Sequence, residues 1–311
     1  MSERLKGILA MIAASTIWGL SGIYYKELAH VPPLEVLGHR TFWSFAFFVI
    51  VITIQGRMPV VWGILRQPRT LAMLVLSAVM ISTNWFVFIL SIQMGWAMEA
   101  SFGYYIFPLV AVALGYLVLG ERLSKAQKIA VAIAAGAVLM LGIGLGNPPW
   151  ISLTLATTFG AYGLIKNKLD VGPVISVFIE VLVLTPIALI WLFGVHKFGW
   201  SGMDRSGAIF GTNLRDSLLL AFSGILTAGP LILFSYAARR VALTTIGLVQ
   251  YLNPTLQFMV ATFIFSEGFT KWHAIAFPLI WIGLAIYSID SLRQERSARK
   301  RRINSGTSDI T

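Results

Sequence analysis

Long apolar runs separated by short polar stretches dominate this chain. Crossing ~30 Å of hydrocarbon takes about 20 helical residues. On that length rule the runs predict helices over 6–25, 34–54, 71–93, 99–119, 126–145, 149–166, 173–193, 216–237, 243–265 and 271–290. The stretch from Ile129 to Ile165 carries no charge, but Gly146-Asn147-Pro148-Pro149 divides it. Such a cluster stops a helix and makes a turn. The expectation is an all-α integral membrane protein with ten transmembrane helices.

Composition supports that class. Hydrophobic residues make up 57 % and charged residues 12 %, with a mean hydropathy of +0.78, too little charge to cover a soluble domain of this size. The chain has no cysteine, so disulfides, thiolate metal sites and iron–sulfur clusters are excluded. Arg4 and Lys6 before an apolar run resemble a signal peptide. The run from Gly7 to Tyr25 exceeds the ~7–15 residues of a signal core and reads as the first spanning helix.

Ten crossings put both ends on one side. With the N-terminus inside, every Lys and Arg falls inside except Lys26, Arg40, Lys197, Arg205, Arg215 and Lys271. The positive-inside rule then makes both termini cytoplasmic. The net charge of +11 follows the same bias, and the basic tail from Arg293 to Arg302 reads as a topology signal rather than a nucleic-acid site.

One segment occurs twice. Tyr105-Ile-Phe-Pro108, then Glu121 and Lys125, returns at one offset as Tyr251-Leu-Asn-Pro254, Glu267 and Lys271. Thr16, Gly19 and Gly22 match Thr157, Gly160 and Gly163, and Pro33 and Arg40 match Pro173 and Glu180 at neighbouring offsets. Halves of five helices each must be inserted in opposite senses. The expected organisation is a first repeat over 1–147, a second, inverted repeat over 148–292, and a basic cytoplasmic tail over 293–311. Inverted repeats with Pro inside corresponding helices are a pattern of secondary transporters.

Ionisable groups inside a span are costly, and few occur. Arg40 and Glu180 each lie seven residues past a helix-opening Pro, about 10 Å along their helices. Both are expected to face a shared central cavity. Two roles remain open: a structural ion pair, or a substrate anchor at Arg40 with Glu180 as the proton-coupling candidate. His39 points about 100° away from Arg40 and suits helix packing. Asn84, Tyr104, Tyr105, Gln250, Tyr251 and Asn253 are candidate cavity residues, with amide bridging between helices as the alternative for the amides. Pro108 and Pro254 lack an amide hydrogen and are expected to kink their helices. Glu99 reads as a helix cap, and Glu121 and Glu267 as points of re-emergence into water. Trp18, Trp43, Trp85, Trp150 and Trp191 read as lipid-facing, interface or packing residues rather than ligand cages. Gly136, Gly142 and Gly144 form a small-residue face that suits close packing or a homodimer contact.

Trp18-Gly19, Pro32-Pro33-X-Glu35 with His39-Arg40, Glu99-Ala-Ser-X-Gly103-Tyr104, Gly120-Glu121-Arg122 and Gln250-Tyr251-X-X-Pro254 together resemble the RarD family, in the EamA branch of the drug/metabolite transporter superfamily. The resemblance covers about residues 5–290. It implies a ten-helix, inverted-repeat carrier of the inner membrane that moves small metabolites by alternating access, with helices five and ten away from the central cavity. The second copy reads Phe265-Ser266-Glu267, without the Gly that precedes Glu121.

A P-loop is absent, so ATP is not the direct energy source. The sequence also lacks His-Glu-X-X-His and Gly-X-Ser-X-Gly motifs and has no paired intramembrane carboxylates, which argues against an enzyme. Neither cofactor nor metal is expected. The expected partners are a small-molecule substrate, membrane lipids and, if transport is coupled, protons; facilitated diffusion is the uncoupled alternative. Arg40 favours an anionic or zwitterionic group and the aromatic lining an apolar portion, so an amphiphilic or amino-acid-like compound is the expected cargo.

Overall fold

Apolar side chains satisfy lipid, but backbone amides and carbonyls in lipid must be satisfied within the segment, which enforces helix. The computed structural model accordingly is helical throughout its spans. It describes residues 2–307 apart from 121, 147, 148, 204 and 242, so Glu121 and the predicted repeat boundary near Asn147 lie outside the described residues. The helices are α1 (Glu3–Glu27), α2 (Pro33–Ile54), α3 (Met58–Leu65), α4 (Pro68–Met94), α5 (Ala97–Leu119), α6 (Lys125–Leu145), α7 (Trp150–Asn167), α8 (Pro173–Phe198), α9 (Leu214–Ala238), α10 (Leu243–Gln250), α11 (Leu252–Met259) and α12 (Lys271–Thr307), with a π-helical turn at Val260–Ile264 before α12.

Among the described residues eight helices are long and apolar enough to cross a membrane: α1, α2, α4, α5, α6, α8, α9 and the first part of α12. The other two expected spans appear in different form. α7 is only 18 residues long and carries Thr154, Thr157, Thr158, Gly160 and Gly163. The run expected at 243–265 is divided into α10, α11 and the π turn. The divide has a local cause: Pro254 cannot donate to the carbonyl of Gln250, and its ring crowds that carbonyl. The chain breaks there, at Tyr251. Pro108 sits inside an α5 that continues unbroken.

Two boundaries also differ from expectation. α3 is a short helix where the sequence suggested a loop; Val61 and Ile64 turn inward while Val60 and Trp62 stay exposed. α12 continues to Thr307, well past the expected end at 290. The sequence there is rich in Gln, Glu, Arg and Lys, good helix formers once lipid no longer selects for apolar residues.

Packing follows a paired scheme. α1 packs on α9, α10 and α11, and α4 packs on α7; α2 lies against α8 and α9, and α4 also touches α8. α5 packs on α7 and α11, and α6 pairs with α12. Gly224 permits the α2–α9 crossing, since a Cβ there would stand 2.4 Å from the Trp43 carbonyl carbon. Gly144 is covered by the Trp272 ring of α12, so that part of the small-residue face is occupied within the chain.

Candidate functional site

Nine helices converge on one central cavity of about 440 Å³. Its walls come from α1, α2, α4, α5, α7, α8, α9, α10 and α11, and among the described residues neither α6 nor α12 contributes. Of the residues expected there, Arg40, Asn84, Tyr104, Gln250 and Asn253 line it. Tyr105 and Tyr251 do not. They line a separate, more open groove of about 360 Å³ against α12, with Trp281 and Ser288. The split is a matter of helical geometry: neighbours on a helix point about 100° apart. The aligned positions share their fates, Tyr104 with Gln250 in the cavity and Tyr105 with Tyr251 in the groove.

Of Arg40 and Glu180, both expected to face the cavity as an ion pair or in separate roles, Arg40 lines it and Glu180 does not, and no pair between them forms among the described residues. Glu180, fully buried, binds Lys166 Nζ at 2.5 Å and accepts from Ser77 Oγ at 2.6 Å and from the Tyr162 hydroxyl at 3.4 Å. Lys166 also donates to Ser176 Oγ. Glu180 therefore sits behind the cavity wall, whereas Lys166, Tyr162 and Ser176 reach the cavity itself. Sequence reasoning missed Lys166 because it stands in the last turn of a span and passed as an ordinary cytoplasmic charge. The overlooked signal was the brevity of the α7–α8 connection. A tight antiparallel hairpin brings a long Lys side chain at its end within reach of a carboxylate two turns into the next helix.

Arg40 is only 6 % exposed. Its guanidinium carbon lies 4.3 Å from the centre of a Trp85 ring and 5.6 Å from that of Tyr25. Its buried Nε has no hydrogen-bond partner among the described residues. Trp85, expected to face lipid, an interface or packed neighbours, is thus the platform for the deepest cation, and Trp18 also faces the cavity. Asn84 is a bridge: its amide donates to Leu155 O at 2.9 Å and Thr158 Oγ1 at 3.1 Å, and accepts from the Tyr104 hydroxyl at 2.8 Å. Gln257 donates to Asn253 Oδ1 at 2.9 Å while its own Oε1 stays unmet. His39 stacks on Phe210 at 4.6 Å, the packing role expected of it.

Polar ties gather at one end of the bundle. The Glu267 carboxylate accepts from the Ala97 and Met98 amides at 2.8 and 2.7 Å, capping α5 from the far side of the chain. The cap on α5 is therefore Glu267 and not Glu99, which lies within the first turn with its carbonyl accepting from Ser152 Oγ. At the same end, buried Glu35 accepts from the Ile209 amide at 2.9 Å, Arg205 donates to Gln93, and Gln93 holds the Leu28 and Val31 carbonyls. These bonds tie Arg205 and Ile209 to α2 and α4 and to the turn after α1. The Ser152–Glu99 bond sets the starts of α5 and α7 together, so the cavity's Val171 and Pro173 lie at the opposite end.

With this geometry established, similarity to known proteins can be weighed. Residues 5–143 match the EamA-like transporter family. The chain is 40 % identical to an uncharacterized transporter of Vibrio cholerae, across 96 % of each chain. It is also 40 % identical to Protein RarD of Streptomyces exfoliatus (96 % of this chain, 93 % of the other) and 37 % identical to Protein RarD of Escherichia coli (95 % and 98 %). The chain belongs to the RarD family of EamA transporters. The membership makes it a multi-pass membrane protein of a transporter family rather than an enzyme family. A crystal structure sharing 17 % identity superposes with a TM-score of 0.56 over 93 % of this chain and 98 % of that one, a likeness of fold. RarD proteins thus bring a known class to the cavity just described, and the cavity brings the chemistry.

Proposed function

We propose that this RarD-family protein is a secondary transporter that moves small amphiphilic metabolites across the inner membrane by alternating access. The observation that carries this reading is the central cavity, walled by helices of both halves and tied at one end by the Glu267 and Glu35 carboxylates. Ten crossings in two inverted halves, 1–147 and 148–292, account for the paired packing. Exchanging each helix for its counterpart turns α1–α9 into α7–α4, α5–α7 into α11–α1, and α2–α9 into α8–α4, all of which are in contact. On the charge asymmetry of the loops, both termini and the 293–311 tail are cytoplasmic. The tied end is then periplasmic, and the cavity reaches toward the cytoplasm at Val171 and Pro173.

The Lys166–Glu180 pair is the coupling candidate. Protonating Glu180 discharges it and releases Lys166, a local electrostatic event able to bias two packings of the halves. An uncoupled carrier would keep the pair intact throughout its cycle. The test uses purified protein in liposomes loaded with a bacterial metabolite extract, with release followed by mass spectrometry, with and without a pH gradient. Saturable release of a restricted set of compounds is expected. Release no faster than from protein-free liposomes would remove the transport reading. Gradient dependence lost in Glu180→Gln is expected of a coupled carrier, and gradient-independent flux of facilitated diffusion.

A further inference from the structure

We infer that the cavity is a site for organic monoanions: a single carboxylate or equivalent acidic group on an apolar, flat body, and not a zwitterion or a cation. The inference rests on reading this cavity as the transport site, and it names the substrate class.

Charge bookkeeping carries it. Among the described residues two charged side chains line the cavity, Arg40 and Lys166. Lys166 is already matched by Glu180 at 2.5 Å, and that carboxylate is saturated further by Ser77 and Tyr162. The remaining lining groups are aromatic, aliphatic, amide and hydroxyl, all neutral. The walls therefore hold one uncompensated positive charge, on Arg40. No described carboxylate pairs with it, and it is 94 % buried at 6 % exposure with an unmet Nε donor.

An unpaired charge in a span calls for a partner, usually a functional one. Trp85 and Tyr25 offset part of the desolvation cost through their ring faces. Ring faces do not accept in the plane of the guanidinium, where its N–H groups point. A carboxylate does, and the planar fork of Arg matches its two oxygens. An incoming ammonium finds no such match. Glu180, the carboxylate behind the cavity wall, is engaged by Lys166, and Arg40 and Lys166 both repel a cation. Phe88, Phe107 and Phe159 supply an apolar bed for the rest of the molecule. At about 440 Å³, the space is at the lower end of the ~300–1,000 Å³ typical of small-molecule sites.

The test measures thermal stabilisation of the purified full-length protein by matched probes: 3-phenylpropionate, indole-3-propionate and octanoate, their primary amides, phenylalanine as the zwitterion and phenethylamine as the cation. A ligand that binds only the folded form raises its apparent stability. At least one carboxylate is expected to bind about tenfold or more tightly than its amide, the worth of a charge-assisted hydrogen bond. Phenylalanine and phenethylamine are expected to be no better than the amides. Arg40→Ala should abolish the carboxylate preference and Arg40→Lys should retain part of it. Equal responses to acid and amide, a preference for the zwitterion, no response to any carboxylate, or a preference that survives Arg40→Ala would each overturn the assignment. Should Arg40→Ala fail to fold, the acid–amide comparison in the unmodified protein decides alone. Counterflow in liposomes separates this inference from the transport reading. Carboxylate binding without exchange leaves the anion site standing and removes transport. Exchange of a neutral compound untouched by Arg40→Ala leaves transport standing and removes the anion class.

Discussion

The two copies of the Tyr-X-X-Pro segment differ more in shape than in sequence. In the first, Tyr105 to Pro108 lies within one helix from Ala97 to Leu119. In the second, the chain breaks at Tyr251, resumes as α11 and ends in a π turn. Their crossings differ in the same way. Gly19 meets the second copy so closely that an added Cβ would stand 2.7 Å from Leu256 Cβ and 3.0 Å from Asn253 O. Its counterpart Gly160 meets the first copy at an ordinary distance, with Ala111 Cα 3.4 Å away. Similar sequences have thus settled into two conformations. In the carrier proposed above, exchanging two such shapes between the halves would move the opening from one face to the other.

The comparison can be broken most forcefully at the prolines. Pro254→Ala restores a donor to the Gln250 carbonyl, and a Pro in a helix interior costs about 3 kcal/mol. The variant is expected to close the break at Tyr251, raise hydrogen-exchange protection over 250–256 and slow exchange transport. Pro108→Ala should change protection around α5 far less, since that helix is already continuous; equal effects from the two variants would refute the contrast.

Next in size is Gly19→Ala, where overpacking against Asn253 and Leu256 should cost about 1–3 kcal/mol, read as a lower melting temperature in detergent. Gly160→Ala should stay within about 0.5 kcal/mol. A smaller effect is expected at the cap. Glu267→Gln replaces one of the two oxygens that accept from the α5 amides with an NH2 donor and should cost about 0.5–2 kcal/mol. Its pH dependence sharpens the point. Burial is the largest influence on the Glu267 carboxyl and pushes it above the ordinary value of 4.5, against the pull of the Met98 and Ala97 amides. The folded protein then binds more protons than the unfolded chain between that ordinary value and the raised one. Wild-type stability relative to the Gln variant should rise as pH falls through that window and drop as pH climbs back. Smallest is Tyr105→Phe, which removes the 2.8 Å bond to Thr255 joining the copies and should cost about 0.6 kcal/mol by melting.

Most of the helical layout was legible because lipid leaves the backbone no alternative, so apolar length alone locates α1, α2, α4, α5, α6, α8 and α9. α3 was not legible, since eight residues at the edge of a bundle follow no such constraint. Pro254 announced a kink, but no signal in the sequence marked the π turn at Val260–Ile264 or the contact of Glu267 with a helix 170 residues away. At the site, residue types were easier to read than facing. Arg40 and Asn84 could be marked as deep and polar, while the division of Tyr104 from Tyr105 needed the neighbours in place. The partner of Glu180 was missed for the same reason: depth brings Arg40 to about the right level, yet the tight α7–α8 hairpin delivers Lys166 first.

The cap on α5 also has a calendar. Ala97 and its acceptor Glu267 are 170 residues apart. At ~5–20 residues per second, a ribosome needs on the order of ten to thirty seconds to make that interval. Throughout it, the first turn of α5 lacks the carboxylate that caps it in the folded protein. The N-terminal half is therefore born unfinished, and the last segments to leave the ribosome complete a helix laid down near the beginning.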